Sequence, residues 1–456
     1  MEREGERGER GERGERGERW PTMVFILAAA VAVLALAMLV APQVGAQAQK
    51  EKSPSVEGAT YVGSKNCEIC HKKIYQGWNS TLHRRKILPA DETTVVGDFY
   101  RNNTFKVERG GKTYASRMLK KGKDFFIETT AADGQMYTYK IEWVIGTTWK
   151  QRYVTQFPNG GMHILPVEWS VATEKWSDYQ GLQSFDYNNP SFWAAKGRTW
   201  QDKCGSCHAT GLSYDYDPKT HTYKNTNWLD NGAGCEACHG PGSKHMSAPS
   251  EEERRMTIIN PANMPPFIAA QVCGQCHTRG FTWDGKYEYP KGYYPGRQLF
   301  EFYQEKAGIW PGGEARQHHQ QYLDWVKSKH ANVGVSCWTC HSVHDRGKTE
   351  RFALKKPGDA LCVDCHKAAA KTGQKTIHSI HDFGGCIGCH MPRTAKSSVL
   401  GDISLHTFKV VYPSVSIAKG GIEKQPNSCN LCHYHKNDPP DKLQIYMDKI
   451  KESYYQ

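Results

Sequence analysis

GCEACHGPGSKH, residues Gly234 to His245, places two cysteines and two histidines within twelve residues. Cysteines spaced in this way can grip zinc, cycle as a dithiol or tether a haem. The rest of the chain decides between them. Its 16 cysteines fall without remainder into eight C-x-x-C pairs, numbered here as motifs 1 to 8 in chain order: Cys67/Cys70, Cys204/Cys207, Cys235/Cys238, Cys273/Cys276, Cys337/Cys340, Cys362/Cys365, Cys386/Cys389 and Cys429/Cys432. Histidine follows each pair at once, as His71, His208, His239, His277, His341, His366, His390 and His433. Histidine is 20 of 456 residues, so eight such coincidences have a chance of roughly 10⁻¹¹.

The spacing has a chemical reason. Two sulfurs one short turn apart can bond to the two vinyl positions along one porphyrin edge. The next residue then lies beneath the ring, where its imidazole reaches the iron. A four-cysteine zinc site from Cys204/Cys207 and Cys235/Cys238 would not require a histidine at the next position eight times. A dithiol redox motif would be single and set in a βαβ unit. The motifs therefore predict eight haems c, with no cysteine left for a disulfide. Residues 47–456 supply about 51 residues per haem, too few for a large ordinary core, so the expected core is mostly porphyrin.

The N-terminus is a Gly-Glu-Arg repeat of low complexity, followed by an uncharged run from Met23 to Ala41. Val44-Gly45-Ala46 and Ala46-Gln47-Ala48 offer cleavage sites, so residues 1–46 are expected to be a secretory signal, with a retained anchor at 23–41 as the alternative. Either places the rest of the chain outside the cytoplasm, periplasmic or extracellular. The formal charge of +12 does not point to nucleic acid. Residues 1–46 carry six Arg and seven Glu, and sixteen haem propionates against eight ferric centres bring the remainder down to about +5.

Haem motifs are unevenly spread. Residues 47–90 hold motif 1, and 91–180 hold none. There, hairpin signals at Gly110-Gly111, Asp133-Gly134 and Asn159-Gly160 separate alternating runs such as DFFIETT. Residues 181–290 carry motifs 2–4 and 291–456 carry motifs 5–8, with prolines breaking the stretch from Pro261 to Pro295. The expected fold class is α+β with much irregular structure: short helices around haems and one β-rich segment free of cysteine. The stretch ARQHHQQYLDWVKSKH, Ala315 to His330, reads as one helix, placing His319 and His330 on one side about 16 Å apart. DKLQIYMDKIKESYY reads as a C-terminal capping helix.

Twelve histidines remain for the sixth iron positions. His83, His245, His330, His344, His381 and His406 are the expected distal ligands, followed by His319 and His378. A histidine just past a motif, such as His344 or His435, cannot cap its own haem but can cap a neighbour. His163 sits in a β segment and His221 in a polar loop, so neither is expected to ligate. His318 points away from His330 on the expected helix, and Met391 adjoins His390 on the wrong face for a His/Met haem. Iron held by two imidazoles implies low reduction potentials.

Several segments, YVGSKNCEICHKKIYQGWNSTLH, QDKCGSCHATGLSYD, GCEACHGPGSKH, VCGQCHTRG, SKHANVGVSCWTCHSVH and CIGCHMPRT, give the chain a resemblance to a known group. It resembles the multihaem cytochromes c that include hydroxylamine oxidoreductase, pentahaem nitrite reductase and their tetrahaem electron-carrier relatives. The resemblance implies that His83, His245, His330 and His344 ligate neighbouring haems. It departs from the group's catalysts: every motif ends in histidine, where the nitrite reductases carry one C-x-x-C-K, and pattern alone singles out none of the 23 tyrosines as the covalent modifier of hydroxylamine oxidoreductase.

The first expectation is electron transfer along mostly bis-histidine haems, with other cytochromes, a quinol-oxidising membrane complex or an extracellular acceptor as partners, or self-polymerisation. The second is an oxidoreductase of a small nitrogen or sulfur oxyanion at one open haem. The third is a scaffold whose residues 91–180 bind a partner.

Overall fold

Residues 91 to 180 alternate polar and apolar side chains, and the pattern folds into sheet. A computed structural model describes residues 53–454 apart from 110, 132, 307, 350, 370–377, 379–383 and 398. The apolar run 23–41, the cleavage sites and His381 lie outside the described residues. Four strands, β2 (Thr104–Arg109), β3 (Lys112–Lys121), β4 (Asp124–Thr130) and β5 (Met136–Lys140), form an antiparallel meander in sequence order. In β4, Phe125, Ile127 and Thr129 turn inward and their neighbours outward, the period of two expected of a half-buried strand.

A second antiparallel sheet has the order β1-β6-β7-β8-β9, from Ile87–Pro89, Trp143–Ile145, Lys150–Gln156, Met162–Ser170 and Lys175–Asp178. Every residue of β8 is buried, so both of its faces are covered. The tight turn before β8 needs Gly160: its φ is 78° and an added Cβ would lie 2.0 Å from the Tyr223 carbonyl.

These strands hold an ordinary apolar core. Ile87, Met118, Ile127, Ile141, Tyr153, Leu165, Phe192, Trp193 and Trp200 are essentially fully buried within one cluster running from Ile87 to Ala209. The expectation of a core built mostly from porphyrin is thus corrected for this part of the chain, where the sheets bury enough apolar area for themselves. Elsewhere the buried apolar clusters are small, one around Tyr303, Tyr322 and Trp325 and one around Leu405.

Outside the sheets the helices are short, as expected for the fold class. The longest described are α1 (Ser64–Asn79), α3 (Pro266–His277) and α6 (Pro440–Tyr454); α2 is the single turn Cys235–His239. The C-terminal helix forms where the sequence places it and buries Leu443. The helix expected over 315–330 does not form as one piece. It is broken into α4 (Gln321–Trp325) and α5 (Lys329–Asn332), with His319 ahead of both at a left-handed φ of 61°. Ser328 ends the first piece and caps the second by accepting from the Ala331 N–H, a local alternative to continuous helix. The three-turn separation between His319 and His330 and the argument against His318 both fall with that helix. Among the described residues no helix is long and apolar enough to cross a membrane.

Candidate haem sites

One helical turn puts side chains i and i+3 on a common face, which is what a C-x-x-C pair needs to reach one porphyrin edge. Motif 1 lies within α1, motif 3 forms α2, motif 4 ends α3, and motif 7 ends the helix Gly385–His390. Motif 2 closes the short helix Gly205–His208, and in motif 5 the turn Cys337–Cys340 carries His341 at its C-cap.

Cys70 is exposed, while Cys67, one turn earlier on α1, is half-buried against motif 3. The start of the helix docks on motif 3 through Gly63, and Trp78 in its last turn donates to the Ala233 carbonyl at 2.9 Å, while Cys70 and His71 lie exposed between them. At His71 the backbone leaves helical geometry, with φ −112° and ψ 39°, which kinks α1 immediately after the motif. Cys70 still stands three residues from Cys67 on one turn and fits as the second thioether sulfur.

The histidines are set up as metal ligands before any metal is considered. The Nδ1 atoms of His208, His239, His341 and His390 lie 3.2, 2.7, 2.8 and 3.3 Å from the carbonyls of Lys86, Ile259, Phe352 and Phe408. His245 and His406 do the same with Arg254 and Ser404, at 2.9 and 3.1 Å. A carbonyl only accepts, so Nδ1 carries the proton and Nε2 keeps its lone pair free. Burial holds four of the haem-site histidines neutral: desolvation lowers His83 to about 3 and His208, His277 and His406 to about 4.

The rings then pair at a diagnostic spacing. A metal–imidazole bond of about 2.0 Å, with about 1.2 Å from nitrogen to ring centre, puts two trans imidazole centres about 6.4 Å apart. His71 and His245 are 6.4 Å apart, His239 and His344 6.1 Å, His366 and His330 6.0 Å, His341 and His406 6.3 Å, and His390 and His378 6.3 Å. Each pair joins one motif histidine to one expected distal histidine, across gaps of up to 174 residues in sequence. The residues fit haem iron.

Motif 4 has two neighbours at that distance: His277 lies 6.3 Å from His83 and 6.4 Å from His319. One iron has one trans position, so only one of them can close it. His319 also lies near His208 and His318, between motifs 2 and 4. Among the described residues, neither His208 nor His433 has a second imidazole at the trans spacing; the His433 ring lies against Tyr434. His163 is buried in β8 and stacks on Phe157 at 4.5 Å, and His221 meets the Tyr216 hydroxyl at 2.9 Å, both away from the paired rings.

The sulfurs of different motifs touch, which gives the motifs a spatial order. Cys67 contacts Cys235, Cys207 contacts Cys276, Cys273 contacts Cys337, and Cys362 contacts Cys386. Cys238 neighbours Cys276, Cys340 neighbours Cys365, and Cys389 neighbours Cys432. The order is 1-3-4-5-6-7-8, with motif 2 branching from motif 4. The same contacts dispose of the zinc alternative, since Cys204/Cys207 and Cys235/Cys238 face different partners. Asp359, Cys362 and Cys386 lie within metal-ligand range of one another, but both sulfurs belong to haem motifs and would be consumed in thioether bonds.

Two carboxylates hold this framework. Glu236, between the cysteines of motif 3, is 1% exposed and accepts from the N–H groups of Val62, Gly63 and Gly242 at 2.9, 2.7 and 2.8 Å. It thereby pins the start of α1 to motif 3. Asp324, also 1% exposed, accepts from Ala315 and His406 N–H groups at 2.9 and 3.1 Å. Desolvation raises its pKa to about 6. A carboxyl raised on folding contributes stability that is full below its unfolded pKa near 4 and is lost as pH climbs through 6. The unfolding free energy of the wild type should therefore fall between pH 4 and 6 by up to about 3 kcal/mol relative to Asp324→Asn. Parallel pH profiles for the two proteins would refute the assignment.

Sequence reading missed the surroundings of motif 2. His318 accepts at Nε2 from the Arg279 guanidinium, 3.4 Å away, so its lone pair is turned to an arginine. His318 also stands near Lys150, Arg152 and His208. The only hint in the sequence was position: Arg279 is two residues past His277 and His318 adjoins His319.

The family model described as a doubled CXXCH motif matches residues 330–371, and the one described as cytochrome c554 and c-prime matches residues 170–240. The cytochrome c nitrite reductase subunit NrfA of Nitratidesulfovibrio vulgaris is 23% identical over 322 residues, covering 60% of this chain and 55% of that protein. The high-molecular-weight cytochrome c of the same organism is 26% identical over 138 residues, 27% of this chain and 23% of that one. The chain thus spans about half the length of the first relative and less than a quarter of the second. The crystal structure of the outer cell wall cytochrome OcwA superposes with a TM-score of 0.61 at 23% identity, over 86% of this chain and 87% of that one, a likeness of fold. Haem c is what these sulfurs and imidazoles are arranged to hold, and with both family models falling on the motifs the chain is a multihaem c-type cytochrome.

Proposed function

We propose that the chain carries eight haems c and relays electrons along them in the cell envelope. The observation that carries this reading is the series of sulfurs of different motifs that touch or neighbour one another, in the order 1-3-4-5-6-7-8. Porphyrins tethered at sulfurs this near would be close enough for an electron to hop. The paired imidazoles support bis-histidine ligation, with His245, His344, His406, His330 and His378 closing haems 1, 3, 5, 6 and 7, and His83 closing haem 4. The protein's part is spacing, ligation and burial, while the haem carries the electron. Donors and acceptors would be other cytochromes, a quinol-oxidising membrane complex or an extracellular acceptor, and assembly into filaments is a further outcome to examine. Haem 1, at the end of the series of motif contacts, offers one terminus to such a partner.

A second reading is favoured at one haem. His208 lacks a described trans imidazole, and the pocket beside it gathers cations around His318. Haem 2, branching from haem 4, would then be a reactive terminus fed by the others, acting on a small nitrogen or sulfur oxyanion. The similarity to a cytochrome c nitrite reductase subunit supports this chemistry.

The two readings share one experiment. The denatured protein should exceed its polypeptide mass by eight haems, and the reduced native protein should bind carbon monoxide at haem 2, with up to one more per chain at haem 8, the other motif without a described trans imidazole. Fewer than eight haems would refute the count, and fully low-spin protein that ignores carbon monoxide would leave electron relay alone.

A further inference from the structure

Beside motif 2, two tyrosine hydroxyls share one buried carboxylate. Asp202, in the helical turn Trp200–Lys203 just ahead of Cys204, is 5% exposed. It accepts from the Tyr214 hydroxyl at 2.8 Å through Oδ1 and from the Tyr223 hydroxyl at 2.7 Å through Oδ2. The Tyr223 oxygen in turn accepts from Thr199 Oγ1 at 3.0 Å, which fixes the phenol as donor to Asp202. Tyr289, also buried, donates to the Gln201 carbonyl at 2.7 Å and neighbours both the Tyr214 hydroxyl and Cys207. The Tyr214 and Tyr223 ring centres are 5.7 Å apart, so closely spaced phenols lead from a motif 2 sulfur to Asp202. Beyond them lie the half-buried Tyr216 and Tyr287, each under an ammonium: Lys286 is 4.4 Å from the Tyr216 ring, and Lys291 is 4.4 Å from Tyr287 and 4.8 Å from Tyr214. Among the described residues no ammonium lies over Tyr223. Neither axial ligation nor relay between haems calls on this group.

We propose that Tyr223 and Tyr214, with Asp202 as their base, form a reducing reserve that protects haem 2 from hydrogen peroxide when the haem series holds no electrons. This rests on the reading of haem 2 as an open site and adds a protective activity to it. The haem there would supply the place where the O–O bond of the peroxide breaks, and that reduction takes two electrons. Tyr223 gives the first and Tyr214 the second, by way of Tyr289. A phenol yields an electron readily only where a base within hydrogen-bond reach takes its proton, and Asp202 meets that condition for both. Asp202 takes the first proton and solvent the second. Two tyrosines and one hydrogen peroxide thus become two tyrosyl radicals and two waters. Electrons arriving later along the haems, with two protons, restore both phenols. Tyr223 gives first because a cation over a ring opposes removal of an electron from it, and Tyr214 carries one. The ammoniums over Tyr216 and Tyr287 likewise keep the oxidising equivalents from passing outward.

The experiment mixes hydrogen peroxide with the oxidised holoprotein and follows two signals: the organic radical, by freeze-quench electron paramagnetic resonance, and haem bleaching, by absorption. The wild type should give a radical whose hyperfine pattern collapses in protein made with ring-deuterated tyrosine. Tyr223→Phe should lower the radical yield severalfold and speed bleaching severalfold. Asp202→Asn keeps an acceptor oxygen but is no base, and should do the same. Tyr303→Phe is the comparison: Tyr303 also neighbours Cys207, but its hydroxyl donates to the Glu288 carbonyl at 3.3 Å, so neither signal should change. Carbon monoxide binding to the reduced protein reports the open haem and should survive in all three variants. Wild type that binds carbon monoxide but forms no organic radical would overturn the reserve and leave the open haem standing. So would a radical indifferent to both Tyr223→Phe and Asp202→Asn, or one lost equally in Tyr303→Phe. Refusal of carbon monoxide at haem 2 would remove the open haem and the reserve with it.

Discussion

Replacing Glu236 by alanine is expected to cost the folded holoprotein about 3–5 kcal/mol. Its carboxylate satisfies three backbone N–H groups from two separate stretches, Val62-Gly63 and Gly242, in a place closed to water. Alanine would leave those donors buried and unpaired, each a penalty of about 1–3 kcal/mol. The neighbouring contacts, Ser64 Oγ to Asp230 at 2.8 Å and the Cys235 N–H to Ser64 Oγ at 2.8 Å, depend on the same docking. Glu236→Gln keeps one acceptor oxygen and should lose about half as much. Guanidinium unfolding followed by the haem absorption band measures both. An alanine variant within about 1 kcal/mol of wild type would mean that the tethered haems, and not this carboxylate, hold motif 1 against motif 3.

His406→Met should produce the largest redox change. His406 lies 6.3 Å from His341, and motif 5 stands between motifs 4 and 6 in the contact order. Methionine as axial ligand raises the reduction potential, here by on the order of 0.1 V within the roughly 0.8 V that axial ligation spans. For a one-electron centre that shift biases electron occupancy roughly fifty-fold toward haem 5. An electron arriving there would be trapped, because no other contact bridges haems 4 and 6 among the described residues. Spectroelectrochemical titration should show one haem reduced ahead of the rest, and rapid-mixing kinetics should show slowed passage to haems 6, 7 and 8. An unshifted titration would show that His406 does not bind iron.

The distal histidines illustrate how far sequence reading reaches. His245, His330, His344, His378 and His406 were each expected to serve a haem, and each stands opposite a motif histidine. What failed was the local argument for the helix over 315–330. Its helical period was genuine, but Ser328 and the left-handed His319 break it, because His319 is drawn between motifs 2 and 4. Non-glycine residues in that conformation cost about 1–3 kcal/mol, which local propensity alone would never supply. The ordinary core in the β-rich segment was underestimated because counting residues per haem averages over a chain whose haem motifs are absent from 91–180.

By itself, then, the sequence settled the cofactor chemistry. A thiol pair and an imidazole on one helical turn is a local requirement, written into five consecutive residues. The pairing of His71 with His245, the branch at motif 4 and the gathering of Lys150, Arg279 and His318 were decided only in three dimensions. A second axial ligand and a cationic pocket need only be near in space, and nothing in covalent spacing fixes which distant segment arrives there.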